Sequence, residues 1–362
     1  MTKWKAWLRR KDVSCTFQRY GIDALGAMAQ GLFCTLLVGT ILNTLGQQFH
    51  IGFLTETVVT ISSGGQSIGY TIGGLASLMV GPGIAVAIGS ALHCPPLVLF
   101  SLIPVGYAAN AMGGSGGPLA VYVVAIVACE LGKLVSKETR VDILVTPVVT
   151  ILSGIGAAAL VAGPIGRGAN AVGQAIMWAT ELQPLLMGVL VSVLIGMALT
   201  LPISSAAICA SFGLVGLAGG AAVAGCCAQM VGFAVLSFRE NGWGGLISQG
   251  LGTSMLQIPN LMRKPVLWLP AVAASLVGGP LATCVFRLEQ NGFAIASGMG
   301  TCGLVGPIGV IVGWVNEGGA TARDIVGLIL VAIVVPALVA WAVSELMRRR
   351  GLIQPGDYQL EL

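Results

Sequence analysis

The chain predicts an all-α polytopic membrane protein of about ten transmembrane helices with one or more re-entrant hairpins. Three observations lead there. Its 362 residues are 56% hydrophobic and only 9% charged, with a mean hydropathy of +0.91. Eight of the thirty-two charged residues precede Ala24 and six follow Ala342, and between Ala24 and Cys129 the only formal charge is Glu56. The charge-free runs Leu182–Phe238, Pro265–Phe286, Gln290–Asn316 and Ile325–Ser344 are each long enough for one or more helices of about 20 residues. The net charge of +4 comes from runs that flank apolar segments, so it points to a lipid bilayer and not to nucleic acid.

The opening MTKWKAWLRRKDVSC is basic, no A-x-A-like cleavage site precedes Ala24, and the apolar run that follows is too long for a signal-peptide core. Residues 1–23 therefore read as a retained cytoplasmic amphipathic segment. Spans are predicted at 24–45, 58–80, 83–107, 118–135, 143–163, 185–202, 204–218, 220–236, 265–286 and 325–347, forming one membrane domain over 24–347 with a tail over 348–362. This count places the Lys/Arg clusters at Lys3–Lys11, Lys133/Lys137/Arg140, Arg263-Lys264 and Arg348-Arg349-Arg350 in the cytoplasm, with both termini. It holds only if Ala294–Val315 turns back without crossing, which its Gly-Met-Gly, Gly-Leu-Val-Gly and Pro307 allow. Val141–Gly166 and Lys264–Thr283 share a basic flank, a mid-span proline and a Leu-Val-(Ala/Gly)-Gly-Pro end, so two repeats of like orientation, 81–202 and 203–347, are possible.

The 53 glycines and 16 prolines sit largely inside apolar runs, where small residues let helices approach and interruptions mark broken ones. Seven of the nine cysteines, Cys34, Cys129, Cys209, Cys226, Cys227, Cys284 and Cys302, lie in apolar stretches and read as small hydrophobes. His50 and His93 lack a partner at ligand spacing, so no metal site is expected; His93 either faces a cavity or is structural. No Walker motif, dinucleotide fingerprint, G-x-S-x-G elbow or H-E-x-x-H occurs, so no cofactor is expected, and energy must come from an ion gradient or a separate protein.

The polar residues at membrane depth are the candidate site. Ser204 and Ser205 follow Pro202 and either bond back to the helix or face a cavity. Gln229 sits in an apolar run where an amide needs partners, as helix glue or as a ligand group. Arg239, Glu240 and Asn241 offer a cation, an acceptor and an amide in a row, suited to sugar hydroxyls or to a plain interfacial loop. Gln249, Thr253, Ser254, Gln257 and Asn260 recur at mostly three- and four-residue steps and form a polar stripe. Thr301, within Gly298–Gly309, belongs to the candidate hairpin. Glu289-Gln290-Asn291 reads as an external loop.

The run LPISSAAICASFGLVGLAGGAAVAGCCAQMVGFAVLSFRENGWGGLISQGLGTSMLQIPN, the later GMGTCGLVGPIG and the tail Pro355-Gly356-Asp357-Tyr358 resemble the perfringolysin O regulator-like family, a branch of the IIC components of the bacterial phosphotransferase system, over nearly the whole chain. The resemblance implies a dimeric IIC-like protein of the bacterial inner membrane that binds a sugar or small polar solute at mid-membrane. It implies separate IIA and IIB phosphocarrier partners, because no such domain is fused here. Any enzymatic role is then at most that of the membrane subunit of a phosphohistidine- or phosphocysteine-dependent sugar phosphotransferase. The Gly-Ile-Thr-Glu motif of the glucose-type branch is absent, so the carboxylate role falls by default to Glu240, with Ser204, Ser205, Gln229, Arg239, Asn241, Gln257, Asn260 and Thr301 as substrate-binding candidates. An ion-coupled secondary transporter or facilitator, and a membrane solute sensor that regulates gene expression, are the alternative readings.

Overall fold

Apolar runs of this length fold as helices because lipid offers no partner to a free N–H or C=O, and only a helix satisfies its own backbone locally. A computed structural model describes residues 7, 10–63 and 66–360 and divides into two units, Met1–Arg167 and Gly168–Leu362. That division falls well before the join of the two candidate repeats.

In the first unit α1 runs Arg19–Gln48. The predicted span over 58–80 does not form: strands β1 (Val59–Ser63) and β2 (Gln66–Tyr70) pair antiparallel there, with Val59 opposite Tyr70 and Ile61 opposite Ile68. The β-branched and hydroxyl residues of VVTISS, followed by Gly64-Gly65, favour a hairpin over a helix. Helix begins only at Ile72, where Thr71 accepts the Gly74 N–H at 3.0 Å as an N-cap. Helices α2 (Ile72–Leu78) and α3 (Val80–Ala91) meet at a 54° bend.

The predicted span over 83–107 is likewise displaced, because Cys94-Pro95-Pro96 ends one helix and starts the next. His93 sits in that break with φ +55°. Its side chain is 81% exposed, lies 3.9 Å from Asp12 and lines an open pocket with Lys11, Lys133 and Glu138, so it is not a buried structural histidine. Helices α4 (Pro96–Gly113) and α5 (Gly117–Val135) fold back on each other across Gly114, whose φ of +53° only glycine adopts without strain. Helix α6 (Asp142–Thr180) carries Pro147 and Pro164 and continues from the first unit into the second.

The basic end of the first unit is tied together by charge. Arg19 holds Asp12 at 2.8 Å, and the nearly buried Lys133 donates to the carbonyls of Asp12 and Leu92, each at 3.0 Å. The Arg19 guanidinium keeps the Asp12 carboxyl below its ordinary value. Lys11 pairs with Glu138 at 2.6 Å, so the N-terminal segment docks on the loop that follows α5.

The second unit holds α7 (Pro184–Thr200), α8 (Ser205–Ser211), α9 (Gly216–Leu236), α10 (Phe238–Ile247), α11 (Ile258–Arg263), α12 (Pro265–Phe286), α13 (Val305–Asn316) and α14 (Ala322–Arg349). Helix α9 is its centre, almost wholly buried and packed by α7, α12 and α14. The span predicted at 204–218 shrinks to the seven residues of α8. Pro202 and the N-cap Ser204 delay its start, and Gly213 and Gly216, at φ +60° and +66°, stop it.

Among the described residues, the stretches long and apolar enough to cross a membrane are α1, the joined α4–α5, α6, α9, α12 and α14, with the bent α2–α3 pair a seventh. Because α4 and α5 double back, they count as two crossings, and α7, at 17 residues or about 25 Å, adds another.

Close approach of α7, α9 and α12 depends on absent side chains. A Cβ on Gly225 would overlap the Ser192 carbonyl, and one on Gly196 would lie 2.6 Å from the Gly225 oxygen. Gly225→Val should therefore destabilise the protein by about 1–3 kcal/mol or more, read as a lowered Tm in detergent. Gly278→Ala, whose new carbon would meet nothing nearer than 4.0 Å, should leave the Tm unchanged.

Orientation is checked by labelling. Glu317→Cys and Arg350→Cys lie at opposite ends of the second unit, and in intact cells an impermeant thiol reagent should modify the first and spare the second. The reverse pattern would invert the assignment, and modification of both from one side would mean that α14 does not cross.

Candidate functional site

Two segments of the second unit enter and leave on the same side. The first follows α9 at Ser237. Gly242, at φ +56°, breaks α10, a π-helical turn covers Ser248–Gly252, Thr253 is extended, and a 3-10 turn at Ser254–Gln257 leads into α11. Its two limbs end together, because Asn241 binds the carbonyl of Tyr358 and Asn260 that of the next residue, Gln359, both at 2.8 Å.

The second segment starts at Gln290, whose backbone exchanges two hydrogen bonds with Gly216 at 2.8 and 2.9 Å. It descends through a 3-10 turn at Ala294–Gly298, reverses at Gly300, Gly303 and Leu304, which have φ of +54°, +50° and +61°, and returns as α13. Asn291 donates to Glu317 across the mouth at 2.6 Å. Ala294–Val315 thus folds back on itself as a hairpin, a reversal that its glycines supply.

The tips of the two segments meet, Ser248–Gly252 packing on Cys302–Leu304. One hairpin comes from the end of the unit that carries Arg348, the other from the end that carries Glu317. Helix α13 begins at this junction, so its free N–H groups point at the place where the chain is broken.

Hydrogen-bond partners separate the candidates. Gln229 is fully buried and fully engaged: its Oε1 accepts from Trp268 at 2.8 Å and Thr200 at 3.3 Å, and its Nε2 donates to Ser275 at 3.3 Å. Thr200 in turn bonds Ser254 at 2.8 Å, which ties α7, α9, α12 and the first hairpin into one polar cluster. Ser204 caps α8, and Ser205 donates to the Gly298 carbonyl at 2.7 Å, fixing the second tip. Arg239 is 62% exposed and pairs with Glu345 at 3.4 Å. Asn241, Gln257 and Asn260 all bind the backbone of the C-terminal tail. Glu240 is partly buried against Arg348 at 3.1 Å, with Oε1 paired and Oε2 unpartnered.

Thr301 differs from these. It lies at the second tip, is 3% exposed, and its hydroxyl has no partner. The first tip carries a matching atom, because Gln249 is fully buried, donates through Nε2 to Ser237 at 2.6 Å and to the Gly245 carbonyl at 3.1 Å, and leaves Oε1 unpartnered. Gln249 was legible only as one member of the polar stripe. Thr200, Ser275, Trp268 and Arg348 were missed, because nothing local marks a residue whose role is to meet a distant helix.

Broken hairpins that meet inside a helical bundle are where membrane transporters commonly build their substrate sites. The chain belongs to the EIIC family of the phosphotransferase system: the family profile described as Phosphotransferase system, EIIC, matches residues 22–360. It is accordingly a membrane sugar-transport component of that system, a family that works with a sugar substrate and with IIA and IIB phosphotransfer partners. No curated protein and no solved structure matches the chain.

The Gln229 cluster and the Thr301 hydroxyl predict opposite outcomes. Gln229→Ala leaves the half-buried Trp268 N–H without its acceptor and removes one bond each from Thr200 and Ser275, and should cost roughly 1–3 kcal/mol of stability. Thr301→Val removes a hydroxyl that bonds nothing and should not lower the Tm. Thermal unfolding in detergent reads both, and equal effects would refute the distinction.

Proposed function

We propose that this protein is a IIC component of the perfringolysin O regulator-like branch, a homodimer in the bacterial inner membrane with both termini cytoplasmic. Its sugar binds where the two hairpin tips of the second unit meet. The observation that carries this reading is the pair of buried, unpartnered polar atoms on the two tips, Thr301 Oγ1 and Gln249 Oε1. A buried polar atom left unsatisfied costs about 1–3 kcal/mol, so a ligand that supplies its hydrogen bonds is bound with that free energy regained. A polyol presents both donors and acceptors. Ser205 and Gln229 act here as the frame of the site, holding the tips through Gly298 and through the Thr200–Ser254 link.

Hairpins that come from opposite ends suit alternating access, since displacing either tip opens one side only. Glu240 supplies the carboxylate. The sugar hydroxyl oxygen attacks phosphorus, the bond from phosphorus to the histidine nitrogen or cysteine sulfur of the IIB carrier breaks, and the hydroxyl proton passes to Glu240. Arg263 offers an acidic carrier a positive charge at this edge, where Lys264 is already paired with Asp357.

Uptake of radiolabelled sugars into proteoliposomes, with and without phosphorylated IIB, tests the assignment. Sugar should accumulate only as its phosphate. Thr301→Val should weaken binding roughly 2- to 12-fold, the value of one hydrogen bond of 0.5–1.5 kcal/mol. Accumulation of unmodified solute on a proton or sodium gradient would assign a secondary transporter, and tight binding without flux a sensor.

A further inference from the structure

Residues Ile353–Leu360 are held to the second unit by many contacts. Gln354-Pro355-Gly356-Asp357 is a tight turn, with Gly356 at φ +92° and the Asp357 N–H donating to the Gln354 carbonyl at 3.2 Å. The Asp357 carboxylate accepts from the Gln354 N–H and ion-pairs with Lys264, each at 2.7 Å. This turn delivers Tyr358 into the bundle, where it is fully buried against Phe233, its hydroxyl donates to the Leu267 carbonyl at 2.9 Å, and Arg348 sits 6.0 Å from its ring centre. Ile353 is buried beside it.

The partners of this segment are mostly side-chain amides of the first hairpin. Asn241 grips two backbone groups, donating to the Tyr358 carbonyl and accepting from the Leu360 N–H, both at 2.8 Å. Gln257 donates to the same Tyr358 carbonyl at 3.0 Å, and Asn260 to the Gln359 carbonyl at 2.8 Å. Asn241 lies on the descending limb of the hairpin and Gln257 and Asn260 on the returning limb. One strand of backbone therefore bridges both limbs. Neither limb can move without breaking bonds to the tail.

We infer that Ile353–Leu360 is a strap that latches the first hairpin in a closed position, and that the hairpin moves during transport only after Tyr358 leaves its pocket. The inference rests on the proposed transport function. It also concerns Glu240. Arg348 touches both Glu240 and the Tyr358 ring, so the latched strap walls in the residue that holds the carboxylate. Release of Tyr358 removes that wall, lets water reach the ion pair and gives Glu240 the freedom to exchange Arg348 for a sugar hydroxyl.

Two experiments test the strap. Hydrogen exchange on the detergent-solubilised protein, without sugar, compares wild type with Tyr358→Ala. Amides of 241–260 should exchange severalfold faster in the variant while those of 117–135 stay unchanged. If Tyr358→Ala does not fold, Asp357→Asn, which breaks the Lys264 pair and loosens the turn, replaces it. Unchanged exchange over 241–260 would overturn the inference.

The second experiment joins Lys264→Cys and Asp357→Cys, on a cysteine-free background, with a short reductant-cleavable bis-methanethiosulfonate reagent. Cross-linking should abolish uptake while sugar binding persists, and reductant should restore uptake. Full uptake with the strap cross-linked would show that the tail only packs. The exchange arm needs no sugar, so it reads the strap even if the transport assignment itself fails.

Discussion

Every unusual feature of the second unit follows from the constraint that a backbone N–H or C=O inside a bilayer must find its partner within the protein. Helices meet that demand by themselves. The two hairpins cannot, because their tips are built from π-helical, 3-10 and left-handed turns. They persist because α7, α9, α12 and α14 enclose them and because a few side chains stand in for the missing ladder, Ser205 on the Gly298 carbonyl and Ser297 on that of Leu214. The site thus exists only as part of a packed bundle.

The same constraint explains the division of labour among the polar residues. Those that finish the protein's own hydrogen bonding, Gln229, Ser254, Ser275 and Thr200, knit helices together. Those that finish the tail's bonding, Asn241, Gln257 and Asn260, bind its backbone. Only atoms left over from both tasks are free for a ligand, and the tips carry two of them. The Glu240–Arg348 pair is a third kind of case. A buried ion pair is held by mutual need, and breaking it requires a replacement partner for each charge.

The glycines do two physically different things. Along α7, α9 and α12 they remove bulk, so that carbonyls of one helix lie against bare Cα atoms of the next. At Gly300, Gly303 and Gly242 they supply backbone conformations that other residues adopt only under strain, and the chain reverses or breaks there. Both kinds read alike in a sequence, since each is a glycine in an apolar run.

The membrane class, the charged ends and the long apolar helices were determined by the sequence itself, because burial in lipid is decided by composition over a window of about 20 residues. Local chemistry sufficed for these. Tertiary structure alone decided that the stripe through Gln257 and Asn260 faces the backbone of Tyr358 and Gln359, whereas the hairpin at 59–70 and the short helix at 205–211 follow from local residues that a hydropathy window passes over. It alone separated the engaged Gln229 from the free Thr301. The reason is that a hydrogen-bonding side chain has no fixed meaning until its partner arrives, and here the partners are 29 residues away for Thr200 and Gln229 and 117 for Asn241 and Tyr358.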